Sequence, residues 1–433
     1  MTVKKFIAKI FVALAFFLLG LAASTYQVGE RSWVPAAIDK SKQILGIVPK
    51  FDPASLYGFS SQRYEFKTFW RFSNRGVFQL AASKDFLYGI DRHTGDLFEF
   101  TLSKNNAVSK NVNIYSNLGI SKSNKADQLP LVMDLHVVGD KLFSSIVKLD
   151  NSKCERLYLY ETKISKKTFT DTNAVFKTPC IEDHANAQMW GGRMTNSQTK
   201  LYLSVGEQRY DRSGFPKQDK NSRKLLRDKN SVFGSVLEFD LKTQNITIFS
   251  KGHRNAQGLY FDPESLNLLE SEHGPFGGDE VNMLVKNGNY GWPFGSFGKP
   301  YPKKYPSGKS EINESKNPSI GVDLALRKFG AVSGSQSGFN KPLFSWSPGV
   351  GPGNLVMVSS HSKLIEWRRN IIIALMGQGT IHRLILENGA VIHDEKIDIG
   401  KRIRDFVLTE DGKMFASTDN GELVGLDTYL TSY

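Results

Sequence analysis

Short apolar runs separated by turn residues set the rhythm of this chain. Residues 86–90 (Phe-Leu-Tyr-Gly-Ile) run into Asp91-Arg92-His93-Thr94-Gly95-Asp96, and 97–100 (Leu-Phe-Glu-Phe) follow. Comparable runs occupy 157–160, 201–205, 236–240, 370–375 and 413–417. Apolar segments of four to six residues, alternating or continuous and bounded by Gly, Asn and Asp, predict β-strands joined by tight turns. Amphipathic stretches long enough for a ten-residue helix are scarce. A strand–turn–strand repeat over roughly 360 residues predicts an all-β fold and suits a β-propeller, at about 60 residues per blade if there are six; the repeat itself is too degenerate to count the blades, and a sandwich or β-helix are the other candidates.

One segment breaks the rhythm at the N-terminus. Lys4 and Lys5 precede an apolar stretch, 6–23, interrupted only by Lys9, and Ala22-Ala23-Ser24 offers a small-residue cleavage site. Basic residues followed by a short apolar run predict a secretory signal. Residues 6–26 are also long enough for a retained membrane-anchor helix if Lys9 snorkels. The expected organisation is therefore a signal peptide or anchor over 1–26, a tether over 27–60 carrying Pro35, Pro49 and Pro53, and a propeller over 61–430. Basic charge ahead of the apolar segment keeps the N-terminus cytoplasmic. The body is expected in the periplasm or another extracytoplasmic space, where Cys154 and Cys180 would be free to pair.

Composition narrows the function classes. The 433 residues include 56 Lys+Arg against 43 Asp+Glu, a formal charge of +13, with 40% hydrophobic and 23% charged residues. That balance excludes a disordered chain, a coiled coil and a disulfide-stapled mini-protein. The positive excess favours anionic partners: a membrane surface, an anionic cofactor or nucleic acid. Eight Lys/Arg fall within 209–230, and 299–309 is rich in Lys, Pro and Tyr. These stretches read as solvated loops or as a basic rim over a binding site. No nucleic-acid-binding module is recognisable. C-x-x-C, H-E-x-x-H, G-x-S-x-G and P-loop motifs are missing as well.

Chemistry concentrates in the middle of the chain. Residues 252–259 read Gly-His-Arg-Asn-Ala-Gln-Gly-Leu, 271–282 read Ser-Glu-His-Gly-Pro-Phe-Gly-Gly-Asp-Glu-Val-Asn, and 288–293 read Gly-Asn-Tyr-Gly-Trp-Pro. Arg254 and Asn255 are suited to a planar carboxylate-bearing ligand, and a Gly-Pro turn can aim carbonyl oxygens at a hard cation such as Ca²⁺. The plainer reading pairs Arg254 with Asp279 or Glu280 as a tie between blades.

These three runs, with Trp190-Gly191-Gly192-Arg193 and Arg402-Ile403-Arg404-Asp405, resemble the soluble quinoprotein sugar dehydrogenases, the glucose/sorbosone and aldose sugar dehydrogenase family. The resemblance covers about residues 130–428. It implies a six-bladed propeller that oxidises a sugar or other alcohol at a pyrroloquinoline quinone (PQQ)–Ca²⁺ centre. Carried over by position, it implies that Arg254 polarises the quinone and that Asn255 and Gln257 help bind the cofactor. Arg402 and Arg404 would pair with its carboxylates, and the carbonyls of Gly274 and Pro275 would bind Ca²⁺. The chain departs from the family at three places. The histidine base is replaced by Met189, whose thioether cannot take a proton at neutral pH. No lysine lies at 379–381, and a Ser/Thr position is Gly353. His184 is the candidate replacement base. The alternative reading is a non-catalytic propeller that binds a glycan, an anionic ligand or a protein.

Overall fold

A computed structural model describes residues 62–71, 77–83, 86–101, 108–120, 129–150, 154–165, 168–181, 189–207, 228, 230–275, 277–298, 332–333, 338–362, 364–376, 379–409 and 413–430. Nearly all belong to one compact unit, Tyr64–Tyr301 with Pro318–Tyr429; a second unit, Met1–Arg63 with Pro302–Asn317 and Leu430–Tyr433, contributes residues 62, 63 and 430. The expected signal or anchor, the tether, His184, the 299–309 stretch and nearly all of 209–230 lie outside the described residues.

The chain is a six-bladed β-propeller. After β1 (Gln62–Arg71), the first full sheet is β2 (Phe78–Ala82), β3 (Phe86–Asp91), β4 (Asp96–Thr101) and β5 (Val108–Asn113). The second is β6 (Leu131–Val138), β7 (Lys141–Leu149), β8 (Glu155–Ser165) and β9 (Thr168–Lys177). The third is β10 (Gly191–Asn196), β11 (Lys200–Val205), β12 (Ser235–Asp240) and β13 (Ile246–Lys251). The fourth begins with β14 (Ala256–Phe261), β15 (Leu268–Glu272) and β16 (Asp279–Leu284). The chain then adds β17 (Gly288–Asn289) to β13 and pairs β18 (Gly295–Ser296) with β19 (Val332–Ser333). It returns to complete the fourth sheet with β20 (Phe344–Trp346). The fifth is β21 (Pro352–Met357), β22 (Ile371–Leu375), β23 (Thr380–Glu387) and β24 (Ala390–Asp398). The last is β25 (Ile403–Leu408), β26 (Met414–Thr418) and β27 (Glu422–Leu430), with β1 as its outer strand.

Two observations count the blades independently. The first strands touch in the order β2, β6, β10, β14, β21, β25, and β25 returns to β2, so they close a ring. Six apolar clusters also fill the six inter-sheet spaces. Trp190, Leu203 and Leu159 lie between the second and third sheets, and Ile372, Phe406 and Ala416 between the fifth and last. Using β1 as the outer strand of the last sheet brings residues 62–71 beside β27, so strands from early and late in the sequence share the closing blade. The runs at 86–90, 97–100, 157–160, 201–205, 236–240, 370–375 and 413–417 all become strands within these sheets. Among the described residues helices do not exceed four residues, and none is long and apolar enough to cross a membrane.

A joint recurs between neighbouring blades. Ser145 on β7 donates to Gly192 O on β10 (2.6 Å), Ser271 on β15 to Gly353 O on β21 (2.6 Å), and Ser417 on β26 to Phe78 O on β2 (2.7 Å). Each fixes an inner strand to the second strand of the preceding blade. Cys154 and Cys180 form a disulfide (Cα–Cα 5.2 Å), which answers the pairing left open by their spacing.

Candidate functional site

Five of the six inner strands carry a register irregularity near their start. It falls at 132/134 in β6, 191/194 in β10, 256/258 in β14, 352/355 in β21 and 403/405 in β25. A bulge inserts a residue with no ladder partner and re-aims its side chain. The inserted positions are Met133, Gly192-Arg193, Gln257, Gly353-Asn354 and Arg404, so residues of the sequence motifs sit at equivalent places round the ring. Gly192 shows why the motif needs glycine. Its φ is +85°, and a Cβ there would lie 2.5 Å from Met133 Cβ.

At the bulges lies a buried ionic knot. Arg193 Nη2 donates to Asp405 Oδ1 (2.6 Å), and Nη1 lies 3.3 Å from Asp134 Oδ1 and donates to Gln79 Oε1 (2.5 Å). Asp405 also accepts from Leu80 N (2.8 Å) and Asn354 Nδ2 (2.7 Å). One carboxylate thereby joins β2, β10, β21 and β25. Burial pushes Asp134 up to about 7 against the pull of Arg193, and the two aspartates hold Arg193 charged despite its burial. Asp134 keeps its structural role in either protonation state, because Met194 N donates to its Oδ2 (2.6 Å).

The turn between β13 and β14 presents Arg254 and Asn255. Arg254 N donates to Glu272 Oε2 (2.5 Å), Nη1 donates to His273 O (2.8 Å), and the guanidinium lies 5.5 Å from the Trp292 ring centroid. These contacts hold a nearly buried cation in one orientation. Asn255 Oδ1 accepts from Gly191 N (3.3 Å) and from Gln257 Nε2 (3.0 Å). Asp279, a candidate ion-pair partner of Arg254, accepts three backbone N–H groups: Gly274 (2.8 Å), Val350 (2.7 Å) and Gly351 (2.8 Å). It therefore clamps the Gly274–Pro275 turn to the approach of the fifth blade. At Gly274 a Cβ would come within 2.3 Å of Gly277 O and Gly278 O, so the turn is packed backbone on backbone. His273 Nε2 lies 2.8 Å from Pro352 O, and burial lowers its pKa, which favours a neutral ring.

Arg402 and Arg404 converge on Asp419. Arg402 Nη1 lies 3.1 Å from Asp419 Oδ2 and its Nε donates to Met376 O (2.8 Å). Arg404 pairs with the same carboxylate and places Nη1 3.0 Å from Met376 Sδ. Two cations against one carboxylate leave a positive excess. The two groups of site residues are continuous: His273 reaches Pro352, and a Cβ at Gly353 would stand 3.5 Å from Arg404 O. Gly379 abuts the backbone of Lys401, but that ammonium turns to Glu422 (2.7 Å) and Thr68 (3.1 Å). Met189 is buried. His273, Trp292, Asp134, Arg193 and Asp405 are parts of the site to which the sequence reading gave no role, and Asp279, read there as an ion-pair partner for Arg254, instead binds backbone N–H groups. All but Asp134 lay inside the quoted motifs, and for His273, Trp292, Arg193 and Asp405 motif membership was the only signal.

Residues 141–425 match the family model described as Glucose / Sorbosone dehydrogenase. The chain belongs to the glucose/sorbosone dehydrogenase family. Its relatives in this family include the aldose sugar dehydrogenase YliI of Escherichia coli, 28% identical over 263 residues (59% of this chain, 64% of that protein). Quinoprotein glucose dehydrogenase B of Acinetobacter calcoaceticus is 23% identical over 331 residues (65% and 68%). An uncharacterised Synechocystis protein, slr1608, is 33% identical over 184 residues, and the chain spans 39% of its length. The fold is shared with the apo soluble aldose sugar dehydrogenase of E. coli (TM-score 0.63, 19% identity, 85% of this chain and 99% of that one). It is also shared with the PQQ-bound aldose sugar dehydrogenase of Streptomyces coelicolor (TM-score 0.55, 16% identity, 85% and 99%).

Proposed function

We propose that this chain is an exported quinoprotein-type dehydrogenase that oxidises a sugar or another small alcohol with PQQ held by Ca²⁺. The observation that carries the reading is the continuity of Arg254, the Asp279-clamped Gly274–Pro275 turn and the Arg402/Arg404 pair at the bulged ends of the inner strands. That donor set fits the group: guanidiniums suit its carboxylates and quinone oxygens, and backbone carbonyls suit a hard cation. Arg254, Asn255, Gln257, Arg402 and Arg404 would hold PQQ, and Gly274 and Pro275 would hold Ca²⁺. Bound PQQ supplies an ortho-quinone that accepts a hydride equivalent. Arg254 is oriented before any ligand arrives, since its backbone and side chain are both tied to the β15–β16 connection; Asp419 keeps Arg402 and Arg404 together while leaving one positive charge for an anion. The names of the relatives, aldose sugar and glucose dehydrogenases, support a small sugar as substrate. Export is supported by the apolar segment after Lys4-Lys5 and by the Cys154–Cys180 disulfide.

Met189 at the family's base position favours the second reading, a propeller that binds a glycan or an anionic ligand without turnover. Purified protein loaded with PQQ and Ca²⁺ separates the two when presented with a panel of aldoses and simple alcohols and an artificial electron acceptor. Dehydrogenase function gives dye reduction that depends on both PQQ and substrate. PQQ binding with no reduction across the whole panel overturns it in favour of the binding protein.

A further inference from the structure

Register gathers an unusual set of groups on one face of the fourth blade, the face that packs against the third. Glu270 and Glu272 alternate on β15, so both point to one side, and the ladder places Asn282 opposite Glu270 and Glu280 opposite Glu272 on β16. His253, from the turn before β14, packs against this face with its ring stacked on Tyr290 (centroids 5.0 Å apart). All five side chains are buried; Glu270 and Asn282 have no exposed surface and His253 has 1%. Ser250 Oγ lies 2.8 Å from His253 Nε2, which leaves Nδ1 turned to the carboxylates, 3.5 Å from Glu272 Oε1 and 3.9 Å from Glu270 Oε2.

Hydrogen bonding does not account for this arrangement. His253 Nδ1, Glu270 Oε1 and Asn282 Oδ1 are buried atoms without a hydrogen-bond partner. The two N–H bonds of a single amide, Asn282 Nδ2, face Glu270 Oε2 (2.8 Å), Glu272 Oε1 (3.2 Å) and Glu280 Oε2 (3.5 Å). Buried polar atoms are almost always paired, and adjacent buried carboxylates need a cation or a proton between them. The three atoms His253 Nδ1, Glu270 O and Glu272 O lie within 4.8 Å of one another. Ligands on a tetrahedral ion with bonds of about 2.1 Å stand about 3.4 Å apart, close to the 3.5 and 3.9 Å found for the imidazole nitrogen.

We propose that His253 Nδ1, Glu270 and Glu272 form a binding site for a divalent transition-metal ion, distinct from the cofactor loop, with Asn282 Oδ1 as a further ligand once its amide is turned over. An imidazole with two carboxylates is a donor set suited to Zn²⁺ or Mn²⁺. Exchanging the N and O of a planar amide requires only a rotation and keeps the same shape. Because Glu272 also accepts from Arg254 N, an ion at this place would brace the turn that carries Arg254.

The test uses the cofactor-free full chain, stripped with chelator and titrated with Mn²⁺. Pulsed electron paramagnetic resonance is expected to show ¹⁴N coupling from an imidazole, which an all-oxygen site at Gly274–Pro275 cannot produce. E270Q is expected to weaken that nitrogen-coupled binding by about 10–100-fold, on the scale of altered metal shells. If E270Q does not fold, H253N must abolish the ¹⁴N signal. Bound Mn²⁺ without nitrogen coupling, no bound Mn²⁺, or coupling unchanged in the variants overturns the site. Neither result depends on PQQ binding, so failure here is separable from failure of the proposed function.

Discussion

Asp405 is the residue whose loss the propeller should feel most. It has no exposed surface, and its carboxylate accepts from Leu80 N (2.8 Å), Arg193 Nη2 (2.6 Å), Asn354 Nδ2 (2.7 Å) and Phe406 N (3.0 Å). D405N keeps the shape but turns an amide NH₂ toward some of these donors. It also leaves the buried Arg193 with Asp134 at 3.3 Å as its remaining carboxylate. Removing one partner of a buried pair costs about 3–5 kcal/mol, because the other charge stays desolvated. With an unfolding entropy of about 2.1 cal/mol/K per residue over roughly 370 residues, that is a fall in Tm of about 5 °C. Scanning calorimetry measures it directly. R193M/D405N should lose less than the sum of R193M and D405N, since the double change leaves no orphaned charge between the pair. A drop below about 1 °C for D405N, or simple additivity in the cycle, would falsify the view that this knot holds the ring together.

Three further outcomes are expected. Replacing both Cys154 and Cys180 with Ser opens a loop spanning a separation of 26 residues and should cost about 3.5 kcal/mol by chain entropy, read as a lower Tm than the oxidised protein; an unchanged Tm would show the bridge to be idle. Asp134, pushed up to about 7 by burial, binds a proton in the folded state that the unfolded chain has already released above its ordinary value of 3.8. Native stability from this group is therefore present at low pH and is lost as pH rises toward 7. D134N should gain on the wild type between pH 5 and pH 8, and a gap in Tm that does not vary with pH contradicts that assignment. D279N leaves an amide facing the N–H groups of Gly274, Val350 and Gly351; a penalty of about 1–3 kcal/mol should weaken Ca²⁺ binding by about 10–100-fold in calorimetric titration, and unaltered affinity would show that the turn does not rely on Asp279.

The strands were legible because a half-buried or buried strand writes its own pattern. Residues 201–205, apolar but for Ser204, and the continuous apolar run 371–375 became β11 and β22, strands buried along nearly their whole length. Blade number was not legible in the repeat and came only from the family resemblance, since the residues that join blades, Ser145, Ser271 and Ser417, are ordinary strand serines until the ring is closed. The detour from β16 to β20 was not legible, because two-residue strands such as β17 and β18 carry no periodicity. At the site, Arg254 and the Gly274–Pro275 turn stood out through motif. Asp279 and Asp405 lay in the motifs too, but their roles were not legible, because part of what they hold is backbone N–H groups 71 or more positions away, Val350 for Asp279 and Leu80 for Asp405. The metal-ligand set at His253, Glu270 and Glu272 was hidden for a related reason. Glu270 and Glu272 look like outward-facing polar positions until the neighbouring blade covers them.

Equilibrium titration of the purified full chain with PQQ, in the presence and absence of Ca²⁺, bears on the proposed function before any substrate is known. Saturable binding of one PQQ per chain, dependent on Ca²⁺ and abolished by R254M, is the expected result. Binding that does not saturate, or that is indifferent to both Ca²⁺ and Arg254, would contradict the cofactor site at the bulged strand ends.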